Sequence, residues 1–477
     1  MLEKIFKLKE HNTNVKTEVI AGFATFMTMA YIIGLNPNII ASSMNGASGE
    51  LWNAVFLATI ISSAIGTLLM AFLANKPFAL APGMGLNAYF ATVVLSIAAK
   101  AGLSYDDAFE GALAIIFFSG VLFTILTLLK VREKIVEAIP VGVRHGITAG
   151  IGLMLVYIGL SSNAGIYGAD GSCFTMIGFF SAGARDTHTA MNDSGASYTL
   201  LMIYIVTFFI GLFTIVILNH KKVKGSILYG MLSASIVFFI CEAIFMGVNP
   251  FESLKGASFL PAFGDLVDKT LFKFKFSTLF DLGYLTAIMT IISFCMVDMF
   301  DTIGTLLGTA SKAGMLDKDG KMENMNKAML SDSLATIAGS VTGTSTVTTF
   351  IESAAGVEEG GRTGLTSLVT GLSFLACMFL APIAALIPAP ATSAALVFVG
   401  VLMLGALKEV DYSDFSQSVP VMLMLVFMMI TSGIGNGIGI GLISYSIIKL
   451  CTGKAKDVSI LTIILSLLFI GKFFIIF

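Results

Sequence analysis

Charged side chains are scarce in this sequence: Asp, Glu, Lys and Arg make up 12% of its 477 residues, where an ordinary soluble domain has roughly 25%. With 56% hydrophobic residues and a mean hydropathy of +0.90, a water-soluble globular fold is excluded and a polytopic protein of the lipid bilayer is expected. Neither sign of charge dominates, the net being -2, so no basic stripe marks a nucleic-acid partner. Cysteine is sparse too. Cys173, Cys241, Cys295, Cys377 and Cys451 form no CxxC and have no neighbouring histidine, which argues against a structural zinc site or a disulfide framework. No metal or cofactor is expected. The amino-terminal stretch alternates Lys and Glu without an unbroken apolar core or a small-residue cleavage site, so it does not read as a signal peptide. Leu2, Ile5, Phe6 and Leu8 among Lys4, Lys7 and Lys9 predict a short helix at the cytoplasmic interface.

Apolar runs are what the sequence has in abundance. At about 20 residues per crossing, seven segments lie near 19–40, 51–74, 78–99, 107–129, 141–161, 198–219 and 226–248. Seven more lie near 283–308, 324–342, 344–358, 363–387, 391–407, 417–433 and 435–451, followed by an apolar stretch at 458–477 outside the scheme. Cytoplasmic loops carry the excess of Lys and Arg. With the amino terminus inside, the returns to the cytoplasm coincide with Lys130, Arg132 and Lys134, with Lys221, Lys222 and Lys224, with Lys312, Lys318, Lys321 and Lys327, and with Lys454 and Lys456. The loop 162–196 holds Arg185 and no Lys, as an outside loop should. The chain therefore divides into a cytoplasmic interfacial segment (1–18), a first repeat (19–248), an extracellular-side loop (249–282), a second repeat (283–451) and a C-terminal hydrophobic segment (452–477). The loop 249–282 fits the charge rule less well, since it carries Lys255, Lys269, Lys273 and Lys275. Two blocks of seven, an odd number, enter the membrane in opposite directions, which is how inverted-repeat transporters are built.

Within the eighth segment, FCMVDMFDTIG places two carboxylates in an apolar run. Asp298, Asp301, Thr302 and Thr305 stand at i, i+3, i+4 and i+7, so on a helix they share one face. A carboxylate at bilayer depth costs about 2.5–3.5 kcal/mol on insertion scales, so such groups usually face a bundle interior and mark a substrate or ion path. The other reading is a helix that begins at the water surface with both acids in its first turn. The third segment of each block is interrupted: PFALAPGMGLNAYF by Pro77, Pro82, Gly83 and Gly85, and GTSTVTTFIESAAG by a Thr-rich run with β propensity. Irregular backbone at membrane depth survives only when buried in protein or lining a cavity. Asn87 follows the first break and Glu352 the second, as ligand contacts or, alternatively, as a helix cap and a first-turn acid. Glu358, Glu359 and Arg362 flank Gly360 and Gly361 and read as a water-exposed turn. GIGNGIGIG lacks the strand and spacing of a dinucleotide loop and reads as a tight turn.

APGMGLNAYF, VDMFDTIGTL, TSTVTTFIESAAGVEEGGRTGL and the early FMTMAYIIGLNP resemble, in order and over essentially the whole chain, the motifs of the AzgA-like purine permeases of the nucleobase/ascorbate (NCS2) transporter superfamily. The resemblance implies an all-α, uracil-permease-like fold of fourteen segments in two inverted sevens, with short strands in segments 3 and 10. It implies a core of segments 1–4 and 8–11 and a gate of 5–7 and 12–14. Carried over by motif, Asn87, Asp298, Asp301 and Glu352 are substrate-site positions, and the acids among them are candidates for proton coupling. In the broader superfamily the eighth segment reads Glu-His-Ile-Gly-His, where this chain has DTIGT. Asp301 thus matches the acid and Thr305 replaces the last histidine, leaving Asp298 and Asp301 both open as the direct ligand. Tyr31, Phe90 and Phe350 could stack on or line a flat ring, with Thr302 and Thr305 beside them. The implied activity is proton-coupled import of adenine, guanine or hypoxanthine across the cytoplasmic membrane, with dimers usual in the superfamily. A carrier of the same fold for uracil, xanthine or a small anion, a channel, and an intramembrane aspartyl protease are the alternatives. The protease would need its aspartates on separate helices, and no GxGD is present.

Overall fold

In a bilayer every backbone N–H and C=O must be satisfied within the protein, so apolar runs fold as helices. The computed structural model describes residues 2–42, 46–129, 140–160, 164–166, 198–249, 251–255, 257–312, 314–316, 322–431 and 433–475. Lys130, Arg132, Lys134, Cys173, Arg185, Lys318, Lys321 and most of the loop 162–196 lie outside the described residues. The first half of the chain forms α1 (Leu2–Phe6), α2 (Val15–Met29), α3 (Ile32–Ile40), α4 (Gly49–Leu69), α5 (Met84–Ala101), α6 (Tyr105–Leu128), α7 (Val141–Gly159), α8 (Tyr198–His220) and α9 (Ser226–Met246). The loop that follows holds α10 (Phe263–Lys269) and α11 (Phe276–Leu279). Then come α12 (Tyr284–Lys312), α13 (Met325–Thr342), α14 (Ala354–Glu358), α15 (Gly364–Ala376) and α16 (Ala381–Ala384). The chain continues through α17 (Ala389–Leu404), α18 (Phe415–Thr431), α19 (Ile434–Cys451) and α20 (Ile460–Ile475).

Among the described residues eleven helices are long and apolar enough to cross a membrane, some built from consecutive elements such as α2 with α3. Three of the expected segments take other forms. The segment 324–342 folds as α13, whose Asn, Lys, Asp, Ser and Thr side chains make it too polar for that set. The segment 344–358 becomes a strand, a 3-10 turn at Ile351–Ser353 and α14. The segment 417–433 is matched by α18, of 17 residues.

The helices pack as two groups. In one, α13 lies against α4 and α6, and α15 lies against α2 and α4. In the other, α7 packs on α17 and α18, α18 on α19, and α8 on α9 and α17. The groups meet where α5 touches α7 and where α12 touches α19. At the first of these contacts Gly85 removes a side chain: a Cβ there would stand 2.1 Å from Ile151 Cγ2.

Between α4 and α5, β1 (Leu80–Pro82) pairs antiparallel with β2 (Val347–Thr349), in the register Leu80 to Thr349, Ala81 to Thr348 and Pro82 to Val347. The ladder extends at both ends, Gly83 N–H donating to Thr346 O at 3.1 Å and Phe350 N–H to Ala79 O at 3.0 Å. All six strand residues are buried, so this non-helical backbone is tolerated at depth because protein surrounds it. The β-branched Val347, Thr348 and Thr349 suit an extended chain, and Pro82 and Gly83 stop β1 just before α5 begins.

The ends of the molecule are tied to this frame. Phe6 and Leu8 are buried against Ala71 and Leu365, while Leu2 and Ile5 stay exposed. The turn before α15 is less solvated than its sequence implies: Arg362 is half-buried and donates through Nη1 to the carbonyls of Val357 and Gly361, each at 2.7 Å. Glu358 and Glu359 are exposed, and Glu359 pairs with Lys224. The C-terminal α20 packs against α19 and α12.

Candidate functional site

The two interrupted stretches, 80–85 and 347–353, come together through the pairing of β1 with β2. A cavity of about 320 Å³ lies between the helix groups, near the lower end of the range for small-ligand sites. Tyr31, the Gly83–Gly85 start of α5, Asp301, Thr305 and Glu352 line it from the first group. Thr148, Val399, Leu402, Met403 and Ala406 line it from the second. The end of β2 and the residues after it, Thr348 to Ile351, run along the wall, and Phe300 adds a second ring to that of Phe350 in the lining.

Glu352 is held by Tyr31, whose hydroxyl donates to Oε1 at 2.7 Å. Asp301 lies in the lining with no side-chain hydrogen bond among the described residues. The amides in the first turn of α5 have no partner within the helix, as at any helix start, and here that turn borders the cavity. The site therefore offers acidic acceptors, hydroxyls and backbone donors around an apolar space.

Asp298 is elsewhere. It is fully buried and accepts from the Thr336 hydroxyl at 2.7 Å through Oδ2. Beside it Asp332, on α13, is also fully buried and accepts three bonds. Thr349 N–H and the Thr349 hydroxyl donate to Oδ1 at 2.8 and 2.9 Å, and the Thr302 hydroxyl donates to Oδ2 at 2.6 Å. Thr302 and Thr348 hydroxyls stand 2.8 Å apart. This network fastens β2 to α12 and α13 directly behind the cavity wall.

Of the residues singled out in the sequence, Tyr31, Asp301, Thr305, Phe350 and Glu352 line the cavity, and Asn87, Phe90, Asp298 and Thr302 stand behind it. Asn87 accepts from Ser345 Oγ and donates to Pro82 O at 3.2 Å, bracing both strand ends. Phe90 meets Phe109 edge-on with centroids 5.1 Å apart. Asp332 and Thr148 escaped the sequence reading.

This lining spreads acceptors and hydroxyls over two separately packed helix groups. Together with the long apolar helices and the family match that follows, such a layout belongs to a membrane transporter, a multi-pass protein of the cell membrane. Its family follows from sequence comparison: the chain belongs to the Permease family designated Xan_ur_permease, whose model matches residues 16–440. It is 39% identical to the guanine/hypoxanthine permease PbuO of Bacillus subtilis, over 99% of this chain and 100% of that one. It is 38% identical to the adenine permease AdeQ of Escherichia coli, over 99% of this chain and 96% of that one. In fold it is similar to the transmembrane domain of a cyanobacterium bicarbonate transporter, BicA, with a TM-score of 0.60 at 16% identity, covering 89% of this chain and 97% of that one. The murine Solute Carrier 26 family member A9 anion transporter in its inward-facing state gives a TM-score of 0.61 at 13% identity, covering 92% of this chain and 68% of that one.

Proposed function

We propose that this chain imports purine nucleobases, namely adenine, guanine or hypoxanthine, across the cytoplasmic membrane by proton symport. The observation that carries the reading is the convergence of Asp301 and the Tyr31–Glu352 pair on one cavity between the two helix groups. Relatives named as adenine and guanine/hypoxanthine permeases over nearly their whole length support the substrate class. Purines are flat and neutral, edged with N–H donors and ring-nitrogen acceptors. Carboxylates accept from the former, and a protonated carboxyl or a backbone N–H donates to the latter. Phe300 and Phe350 supply apolar contact for the ring. An anion would meet two acids in this lining, which disfavours a small-anion carrier.

The transport cycle follows from fourteen segments arranged as two inverted sevens. Segments 1–4 and 8–11 form a core that holds the site, and segments 5–7 and 12–14 form a gate against which the core moves. The proton rides on Asp298, Asp301 or Glu352 and crosses with the base, because a carboxylate that has taken up a proton leaves the loaded site neutral, and a neutral site moves at lower electrostatic cost. Asp298 and Asn87 complete the site from behind the lining, and the protein works as a dimer. Radiolabelled uptake in cells lacking their own purine permeases, with each base as competitor and an uncoupler added, tests this. Saturable purine uptake abolished by the uncoupler is expected; uptake that ignores the uncoupler overturns the symport mechanism, and no purine uptake overturns the substrate class.

A further inference from the structure

The second helix group, the proposed gate, presents Val399, Leu402, Met403, Ala406 and Thr148 to the cavity. Thr148 alone of these five has a polar side chain. In a helix a threonine hydroxyl commonly bonds back to the carbonyl four residues earlier, as Thr124, Thr290 and Thr342 do here at 2.8, 2.7 and 2.8 Å. Thr148 makes no side-chain hydrogen bond among the described residues, although it is half-buried, and its neighbours in this part of the lining are apolar. Across the cavity, Thr305 and Asp301 of α12 are likewise without side-chain hydrogen bonds among the described residues. The remaining hydroxyls of the lining are spoken for: Tyr31 by Glu352, Thr348 by Thr302, Thr349 by Asp332. Unsatisfied polar groups thus oppose each other from the two groups, and a flat base with polar edges on both sides satisfies both at once.

We propose that Thr148 is a direct purine contact on the gate side, a residue that sets which purine is carried and that ties occupancy of the cavity to the approach of the two helix groups. The inference rests on the purine reading above. A hydroxyl can donate to the carbonyl at position 6 of guanine or hypoxanthine, or accept from the amino group of adenine, so its removal changes the bases unequally.

Thr148→Val keeps the shape and removes the hydroxyl; Thr148→Ser keeps the hydroxyl. Competition uptake with adenine, guanine and hypoxanthine, normalised to protein in the membrane, separates the outcomes. For the valine variant the apparent affinity for at least one base should fall about three- to tenfold, the size of one neutral hydrogen bond, with the ratio between bases changed. The serine variant should keep the wild-type ratio. Valine and wild-type proteins with the same affinities, or a valine variant whose maximal rate alone falls equally for all bases, would overturn the assignment while leaving purine transport standing. A wild-type protein that carries none of the three bases overturns both readings.

Discussion

Three helical steps of about 100° leave Asp298 and Asp301 roughly 60° apart, and that angle separates their surroundings. Asp301 reaches the cavity, whereas Asp298 turns to α13 and the Thr336 hydroxyl. Both were legible in the sequence because a carboxylate in an apolar run stands out, but periodicity places residues on a face only to within such an angle. Glu352 was legible for the same reason, following a break that helix propensity cannot explain. Asp332 was not, since it lies in α13 among Ser, Thr, Asn and Lys, where one more polar residue carries no signal. Thr148 was hidden differently: a single threonine in an apolar helix is compatible with any environment. If Asp301 and Glu352 meet the base, Glu352→Gln and Asp301→Asn should each reduce uptake about ten- to a hundredfold, the roughly 1.5–3 kcal/mol expected for a hydrogen bond to a charged group. Asp298→Asn should cost less in affinity, because its contacts are to protein. Accumulation of every purine left intact in both lining variants would remove them from the site.

At the scale of elements, β2 depends on α13. Asp332→Ala leaves the Thr349 N–H, the Thr349 hydroxyl and the Thr302 hydroxyl without their acceptor, at about 1–3 kcal/mol for each donor left unsatisfied. The purified variant should melt several degrees below wild type in detergent, and Asp332→Asn should lie between them because its amide oxygen still accepts. An unchanged melting temperature for the alanine variant would mean that the strands are held by their own ladder. The contact of α5 with α7 makes a second prediction. A Cβ at Gly85 would stand 2.1 Å from Ile151 Cγ2, so Gly85→Ala should lower the maximal uptake rate by holding the two helix groups apart. Ile151→Ala in the same chain should restore it. The breaks themselves were legible, at Pro82 and Gly83 and in the Thr-rich run, though the pairing was not, because register is a relation between segments about 265 residues apart in the chain.

For the whole molecule, apolar length located the long helices, and two features resisted the reading. Lys269, one of the lysines that sit badly with an outside loop, stands 3.0 Å from Glu50 and 3.3 Å from Asp106, and hydrogen bonding to Glu50 holds its ammonium above the usual lysine range. The stretch 458–477 had no place in the count of fourteen; it folds as α20, packed on its chain neighbour α19 and on the distant α12. Everything proposed for function turns on one coupling, between a proton and a purine at the Asp301 and Glu352 wall. The direct test is uptake of radiolabelled adenine, guanine and hypoxanthine into proteoliposomes of the purified protein under an imposed inward proton gradient. At least one purine should accumulate above its outside concentration, only while the gradient lasts and not with Glu352→Gln; equilibration to equal concentrations regardless of the gradient would contradict it.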